Sequence, residues 1–313
     1  MSAALLASRR LWWHGKAKVV RLHKHWKGIV LFLLPALVLY AAFFIYPLGF
    51  VFGISTTAWN GITPPEFRGL GNFADLITNG TFRLSVRNNF IWALSLGFLQ
   101  IFLAAAVAMI LTRKPAGWRV LRTIYFLPNV ISQVAIAMLW MAIYNAEHGI
   151  LNQILESIGL ERWTHNWLGE IETALPAVIA QQVLYIGYFM IIILAGTMAI
   201  PTSFYEAARI DGANVWQQEI HITLPMVRGI LITAMTLAMA YGMRHFEATF
   251  LMTAGGPANS TSVMGLMLYN MMGHLDYGHA NAVGAVLVIL GGVLIVSIRS
   301  LLGRGQAAAE VRQ

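Results

Sequence analysis

The sequence predicts an all-α, polytopic membrane protein with six transmembrane helices. Three observations carry that prediction. Hydrophobic residues make up 58% of the 313-residue chain and charged residues only 11%, against roughly 25% charged in an average soluble domain. The apolar residues gather into runs long enough to cross a bilayer, which takes about 20 residues of helix. The basic residues cluster at the ends of alternate runs, so the net charge of +8 follows a membrane topology rather than a nucleic acid, which is excluded as a partner. The absence of cysteine removes disulfide frameworks and thiolate metal sites.

Residues 1–27 form a basic segment with seven Lys or Arg residues and no acid. The first apolar run, from 28 to about 52, exceeds the roughly 7–15-residue core of a signal peptide and reads as a retained membrane helix. Residues 53–86 are a polar connector with Pro64-Pro65, Gly69, Gly71 and Asn79-Gly80 as turn signals. The second span, about 88–111, carries Ala104-Ala105-Ala106 and Ala108, small residues that let helices approach closely in lipid. A basic turn with Arg113, Lys114 and Arg119 leads to a third span, about 120–144. Pro128 within it predicts a kink rather than a break.

An acidic connector, 145–172, holds a short surface helix at 151–155. The fourth span is about 173–200 and the fifth about 229–252. Turn residues from Thr253 to Thr261 and a helix at 264–272, too short to cross, precede the sixth span, about 279–302. Gly284, Gly291 and Gly292 read as close-packing positions there. The expected organisation is thus a basic segment 1–27, a six-helix domain 28–302 and a tail 303–313. Six spans leave both termini on one side. That side carries 16 basic residues and the other carries 4, with Arg244 inside the fifth span. The positive-inside rule makes the richer side cytoplasmic.

The polar interruption at 201–228 is the most informative stretch. Ser203 and Glu206 have the spacing of a capping box, Asp211-Gly212 reads as a helix end, and Asn214 with Gln217 repeats the box. Thr223-Leu224-Pro225 ends the second piece. Phe204, Tyr205, Ile210, Val215 and Trp216 give these two cytoplasmic helices more apolar surface than a solvated connector needs, which points to a partner. Glu206-Ala207-Ala208, three residues, Gly212, nine residues and Ile222-Thr223-Leu224-Pro225 resembles the E-A-A-x3-G-x9-I-x-L-P signature of ATP-binding-cassette importer permeases. Leu70-Gly71-Asn72-Phe73 and the T-x-G-G-P-x-x-x-T segment from Thr253 to Thr261 resemble further patterns of that family, in its carbohydrate branch of maltose-type and glycerol-3-phosphate-type permeases.

The resemblance spans nearly the whole chain and implies the rest of the machine. Glu206, Ala207, Ala208, Gly212, Ile222, Leu224 and Pro225 would couple the chain to a cytoplasmic ATPase dimer. A second homologous permease subunit and an external solute-binding protein would complete the importer in the inner or plasma membrane of a prokaryote. ATP and Mg2+ would belong to the ATPase, with no cofactor on this chain. The implied solute is a sugar, oligosaccharide or polyol derivative; amino acids, peptides or phosphate are the alternative, and a non-transporting membrane scaffold a third. Phe246-Glu247 stands where many relatives show F-D, which leaves the solute open.

No G-x-x-x-x-G-K-[ST], H-E-x-x-H or G-x-S-x-G motif occurs, so nothing in the sequence indicates an enzyme. His221, His245, His274 and His279 lack tight ligand spacing and read as ordinary polar side chains. Arg244 and Glu247 lie three apart, on one face of a continuous fifth helix. They read either as a structural pair near the headgroups or as part of a wet translocation pathway.

Overall fold

In lipid every backbone amide must be satisfied within the protein, so apolar runs fold as helices and any break needs a local partner. The computed structural model describes residues 26–302, in which the apolar runs are helical. The basic segment 1–25 and the tail from 303 onward lie outside the described residues. Two compact units meet at Phe50 and Val51. The helix α1, Gly28–Ile54, runs through that boundary. The connector 53–86 holds a two-residue antiparallel pair, β1 (Thr57–Ala58) with β2 (Glu66–Phe67), and a short helix α2 (Gly71–Thr78). Asn72 fastens the connector, its amide donating to Ser55 O at 2.9 Å and Thr57 O at 2.8 Å.

The centre of the second unit is α3, Gly80–Thr112, 33 residues long. Asn79 caps it by accepting from Phe82 N at 3.0 Å. It begins earlier than the hydropathy of residues 88–111 suggests, because a polar first turn is allowed once a cap and neighbours satisfy it. Trp92, Leu96, Ala104 and Ala108 are fully buried, so the alanine-rich face packs as its composition predicts. α3 runs along α8 (Gly187–Met198) and α11 (Arg228–Met243). The α11 crossing is close: a Cβ at Gly242 would lie 2.8 Å from Ala93 Cα. Gly284 similarly faces Leu268 in α13 (Met264–Gly273), whereas a Cβ at Gly291 or Gly292 meets no atom within 4 Å. That pair is therefore not a close-packing site within the chain, contrary to the reading from composition.

The remaining spans are broken. α4 (Trp118–Val130) and α5 (Gln133–Ile143) meet at 105°, so Pro128 marks a break and not a kink. The last turn of α4, Leu127–Val130, tightens to a 3-10 helix with the proline in its first turn, and Ser132 restarts α5 by accepting from Ala135 N. α6 (Ile150–Ser157) is the expected surface helix. α7 (Ile171–Val183) and α8 bend by 41°. The connector follows as α9 (Thr202–Ile210) and α10 (Val215–Met226), then α11 after a 69° turn. The fifth span also breaks, between α11 and α12 (Glu247–Thr253), before α13 and the last helix α14 (Tyr277–Leu302). Three helices are individually long and apolar enough to cross a membrane, and up to six spans result if each bent pair crosses once.

Candidate functional site

Two features stand out: a connector with exposed apolar side chains, and a polar cavity among broken helices. Both are positioned by α3.

The connector turns where glycine permits it. Gly212 has φ +79°, in the left-handed region that glycine enters without steric cost. Ala213 N reaches back to Ala208 O and Gly212 N to Arg209 O, which closes α9 as a Schellman-type end. Asn214 then opens α10 with a complete capping box: its side chain accepts from Gln217 N and the Gln217 side chain accepts from Asn214 N. The first capping box is not formed. α9 starts at Thr202 after Pro201 with no side-chain cap, so Ser203 is inside the helix and Glu206 projects exposed. α10 ends at Met226, directly after Thr223-Leu224-Pro225, as the sequence suggests. A wide π turn, Glu219–Thr223, leads into Leu224–Met226, where proline occupies a first-turn position needing no amide partner.

Phe204, Ile210, Val215 and Trp216 are exposed on the connector, Ile210 at 87% and Trp216 at 74%. A surface groove of about 340 Å³ brings Ala208, Gly212 and Ile222 together, flanked by Gln217 and His221. Glu206, Ala207, Leu224 and Pro225 do not line it. The Tyr205 hydroxyl lies 2.9 Å from that of Thr223 and ties α9 to α10.

The polar cavity, about 390 Å³, is lined by Gln100, Asn129, Gln133, Gln182, Tyr241 and Arg244, with further aromatic surface from Tyr185 and Tyr188. Gln100 closes a π turn, Ser95–Gln100, in α3. Its amide donates to Gln182 O and Tyr185 O, both at 2.9 Å, and so bridges two carbonyls where α7 and α8 separate. The Tyr185 hydroxyl donates in turn to Pro128 O at the α4–α5 break. The side-chain oxygens of Gln100 and Gln182 are buried and accept no hydrogen bond from the protein. A buried acceptor without a donor is costly.

α3 also holds the fifth-span break. The Asn89 amide donates to Met243 O at 2.5 Å, and its oxygen accepts from Met264 N at 2.8 Å. Asn88 donates to Ser260 O and Ser262 O, both at 2.8 Å. The two threonines of the T-x-G-G-P-x-x-x-T segment lie with hydroxyls 2.7 Å apart, and Thr261 donates to Gly256 O. The motif is therefore a turn closed by its own ends and clamped to α3.

This break separates Arg244 from Glu247. Arg244 caps α11 and Glu247 begins α12, so the two do not share a helical face. No ion pair joins them among the described residues. Arg244 lies 6.0 Å from the Tyr241 ring at the cavity, and Glu247 lies 3.9 Å from His245 Nδ1. The paired reading fails because the helix on which it depended is interrupted. His245 itself is 1% exposed and packs 4.2 Å from the Trp92 ring. Sequence reasoning took it for an ordinary polar side chain and did not single out the three α3 amides. Asn88, Asn89 and Gln100 in an apolar span were the available signal, since polar groups at membrane depth are costly unless employed.

Between the 53–86 connector and the start of α14, Arg68, Asp75, His279 and Asp276 form a cluster. Arg68 pairs with Asp75 at 2.8 Å, and His279 lies 3.2 Å from Asp75 and 2.9 Å from Asp276. Hydrogen bonding from His279, helped by the Arg68 charge, holds the Asp75 carboxyl below its ordinary range against an opposing desolvation effect. Among the described residues no group of His, Asp or Glu has the geometry of a metal site.

Broken apolar helices around a cavity that several polar side chains line, with an amphipathic connector at one end, fit a membrane transport component. The chain belongs to the family of binding-protein-dependent transport system inner membrane components, which matches residues 100–307. It is 36% identical over 267 residues to the probable ABC transporter permease protein YurN of Bacillus subtilis, covering 83% of this chain and 90% of that one. It is 32% identical over 269 residues to the trehalose/maltose transport system permease protein MalF of Thermococcus litoralis, covering 85% and 89%. The fold is shared with a bacterial ABC transporter involved in import of the acidic polysaccharide alginate, at a TM-score of 0.74 and 23% identity, over 90% of this chain and 97% of that one.

Proposed function

We propose that this permease carries a carbohydrate or polyol derivative into the cytoplasm, with six crossings, both termini cytoplasmic, and a connector that docks on a separate ATPase. The observation that carries this reading is the connector itself: two short helices bent at Gly212, the second opened by a capping box, with Trp216 and Ile210 exposed. Exposed aromatic and aliphatic side chains beside a groove are the ordinary makings of a protein interface. Glu206, Ala207, Ala208, Gly212, Ile222, Leu224 and Pro225 form or border that surface. ATP and Mg2+ are bound by the ATPase dimer, and a second permease and an external solute-binding protein complete the assembly.

The cavity supports a polyhydroxylated solute. Among the lining side chains, Asn129, Gln133 and Arg244 supply hydrogen-bonding groups for hydroxyls, and Tyr185, Tyr188 and Tyr241 supply aromatic surface for a sugar. Arg244 lines this pathway rather than bracing Glu247. The relatives are consistent in kind, since one is named for trehalose and maltose and another for diacetylchitobiose uptake.

The test replaces Trp216 by Asp in the co-expressed complex. ATPase co-purification should fall at least tenfold with the permease still in the membrane, and uptake of trehalose or maltose by reconstituted vesicles should fall with it. Retention of the ATPase at wild-type level defeats the docking reading. Uptake of amino acids in preference to any carbohydrate defeats the solute class.

A further inference from the structure

Glu219 is an unusual residue for its place. It lies at the start of the π turn in α10, with a side chain only 11% exposed, and one of its carboxylate oxygens is buried without a hydrogen-bond partner. Its other oxygen is 2.5 Å from Nη2 of Arg113, the residue that caps the far end of α3. The same nitrogen lies 3.4 Å from Val215 O, at the start of α10. A buried carboxylate held by one arginine is a stiff contact, because separation of the pair leaves the charge uncompensated.

The pair closes a ring of elements. α8 leads by chain into α9, and the Thr112 and Thr197 hydroxyls, 2.6 Å apart, pin the ends of α3 and α8 together. Tyr205 and Thr223 join α9 to α10, and Arg113–Glu219 returns α10 to α3. From Arg113, α3 runs 13 residues back to Gln100, about 20 Å at the rise of a helix. A displacement of α10 thus has a direct rigid route to the polar cavity, besides the routes through the chain to α8 and α11.

We propose that the Arg113–Glu219 ion pair is the strut through which the connector moves α3, and with it the Gln100 amide at the cavity. Both are positioning residues. The proposal rests on the reading that the connector docks an ATPase.

The experiment uses the assembled transporter with partner cysteines replaced by serine. This chain has no cysteine of its own, so spin labels introduced at Ile110 on α3 and Thr233 on α11, both exposed, report only that pair of helices. Their separation is measured before and after trapping with Mg-ATP and vanadate. The wild type should show a shift. In Arg113→Met/Glu219→Met, which leaves no buried charge unpaired, the shift should shrink at least twofold with the ATPase still co-purifying in full. The exchanged pair Arg113→Glu/Glu219→Arg should restore it. A full shift in the methionine pair overturns the strut, as does an unmoved α3 in the wild type. Loss of the ATPase from the methionine pair assigns the contact to assembly, and an unrestored shift in the exchanged pair assigns the loss to side-chain volume; both overturn it. If Trp216→Asp keeps its ATPase, the docking reading fails and takes the strut with it. If Trp216→Asp releases the ATPase while the methionine pair moves normally, the strut alone fails.

Discussion

Gly212 isolates one physical effect. A Cβ there meets no atom within 4 Å, so space is not what requires glycine; the requirement is φ +79°. Gly212→Val strains the backbone, because a β-branched residue in that region is a steric outlier, and it reorients α10 against α9. Membrane abundance should stay near wild type, since no apolar span changes, while solute uptake falls at least tenfold. Gly212→Ala, with about 1 kcal/mol of strain in the same conformation, should lose less. Quantitative membrane content and uptake on the same vesicles decide it, and normal uptake by the valine variant removes the turn from the mechanism. Gly212 and the Asn214–Gln217 box were legible in the sequence because both are local, each needing only residues within a turn of each other. Ser203 misled for a complementary reason. Its spacing to Glu206 suits a cap, yet Pro201 fixes an extended backbone at the helix start, and α9 begins at Thr202 without a side-chain cap.

At the level of elements, the sequence located the apolar runs but not their breaks. Pro128 was read as a kink because the runs on either side are apolar enough to be one helix. The structure breaks there by 105°, and a partner of the break is remote: the Tyr185 hydroxyl from the α7–α8 bend donates to Pro128 O. The break at Arg244–Phe246 has no proline at all. It is held by Asn89, 154 residues earlier than Met243, and no pattern within the fifth span announces it. Asn89→Leu keeps the volume and removes both hydrogen bonds, leaving Met243 O and Met264 N buried and unpaired at about 1–3 kcal/mol each. The purified protein should lose on the order of 5 °C in Tm. Thr78→Ala, at an exposed hydroxyl on α2, serves as the control and should be unchanged. A wild-type Tm for Asn89→Leu means the break is held by other contacts.

At the level of the molecule, α3 is a spine rather than one span among six. Its Asn88, Asn89 and Gln100 amides satisfy backbone at the Gly255–Ser262 turn, the α11–α12 break and the α7–α8 bend. Its Arg113 end meets the connector, so the two candidate features share a helix. Their use in vectorial transport depends on which end faces the cytoplasm. The proposed orientation rests on basic residues: Arg113, Lys114, Arg119 and Arg122 sit at or just beyond the connector end of α3, whereas near its start Arg68 is paired with Asp75. The positive-inside rule counts Lys and Arg near span ends, about 1 kcal/mol each at an anionic cytoplasmic leaflet. The cysteine-free chain allows a direct measurement with single substitutions at exposed positions. Thr63→Cys, in the loop between β1 and β2, should react with a membrane-impermeant maleimide in intact spheroplasts. Ala116→Cys, beyond the end of α3, and Asn259→Cys, in the turn after α12, should divide: the first silent until the membrane is opened, the second reactive from outside. Ile210→Cys on the connector should behave like Ala116→Cys. Labelling of Ile210→Cys in intact spheroplasts places the connector outside and removes any route to a cytoplasmic ATPase. Equal labelling of Thr63→Cys and Ala116→Cys from one side means that α3 does not cross, and the six-crossing topology falls with it.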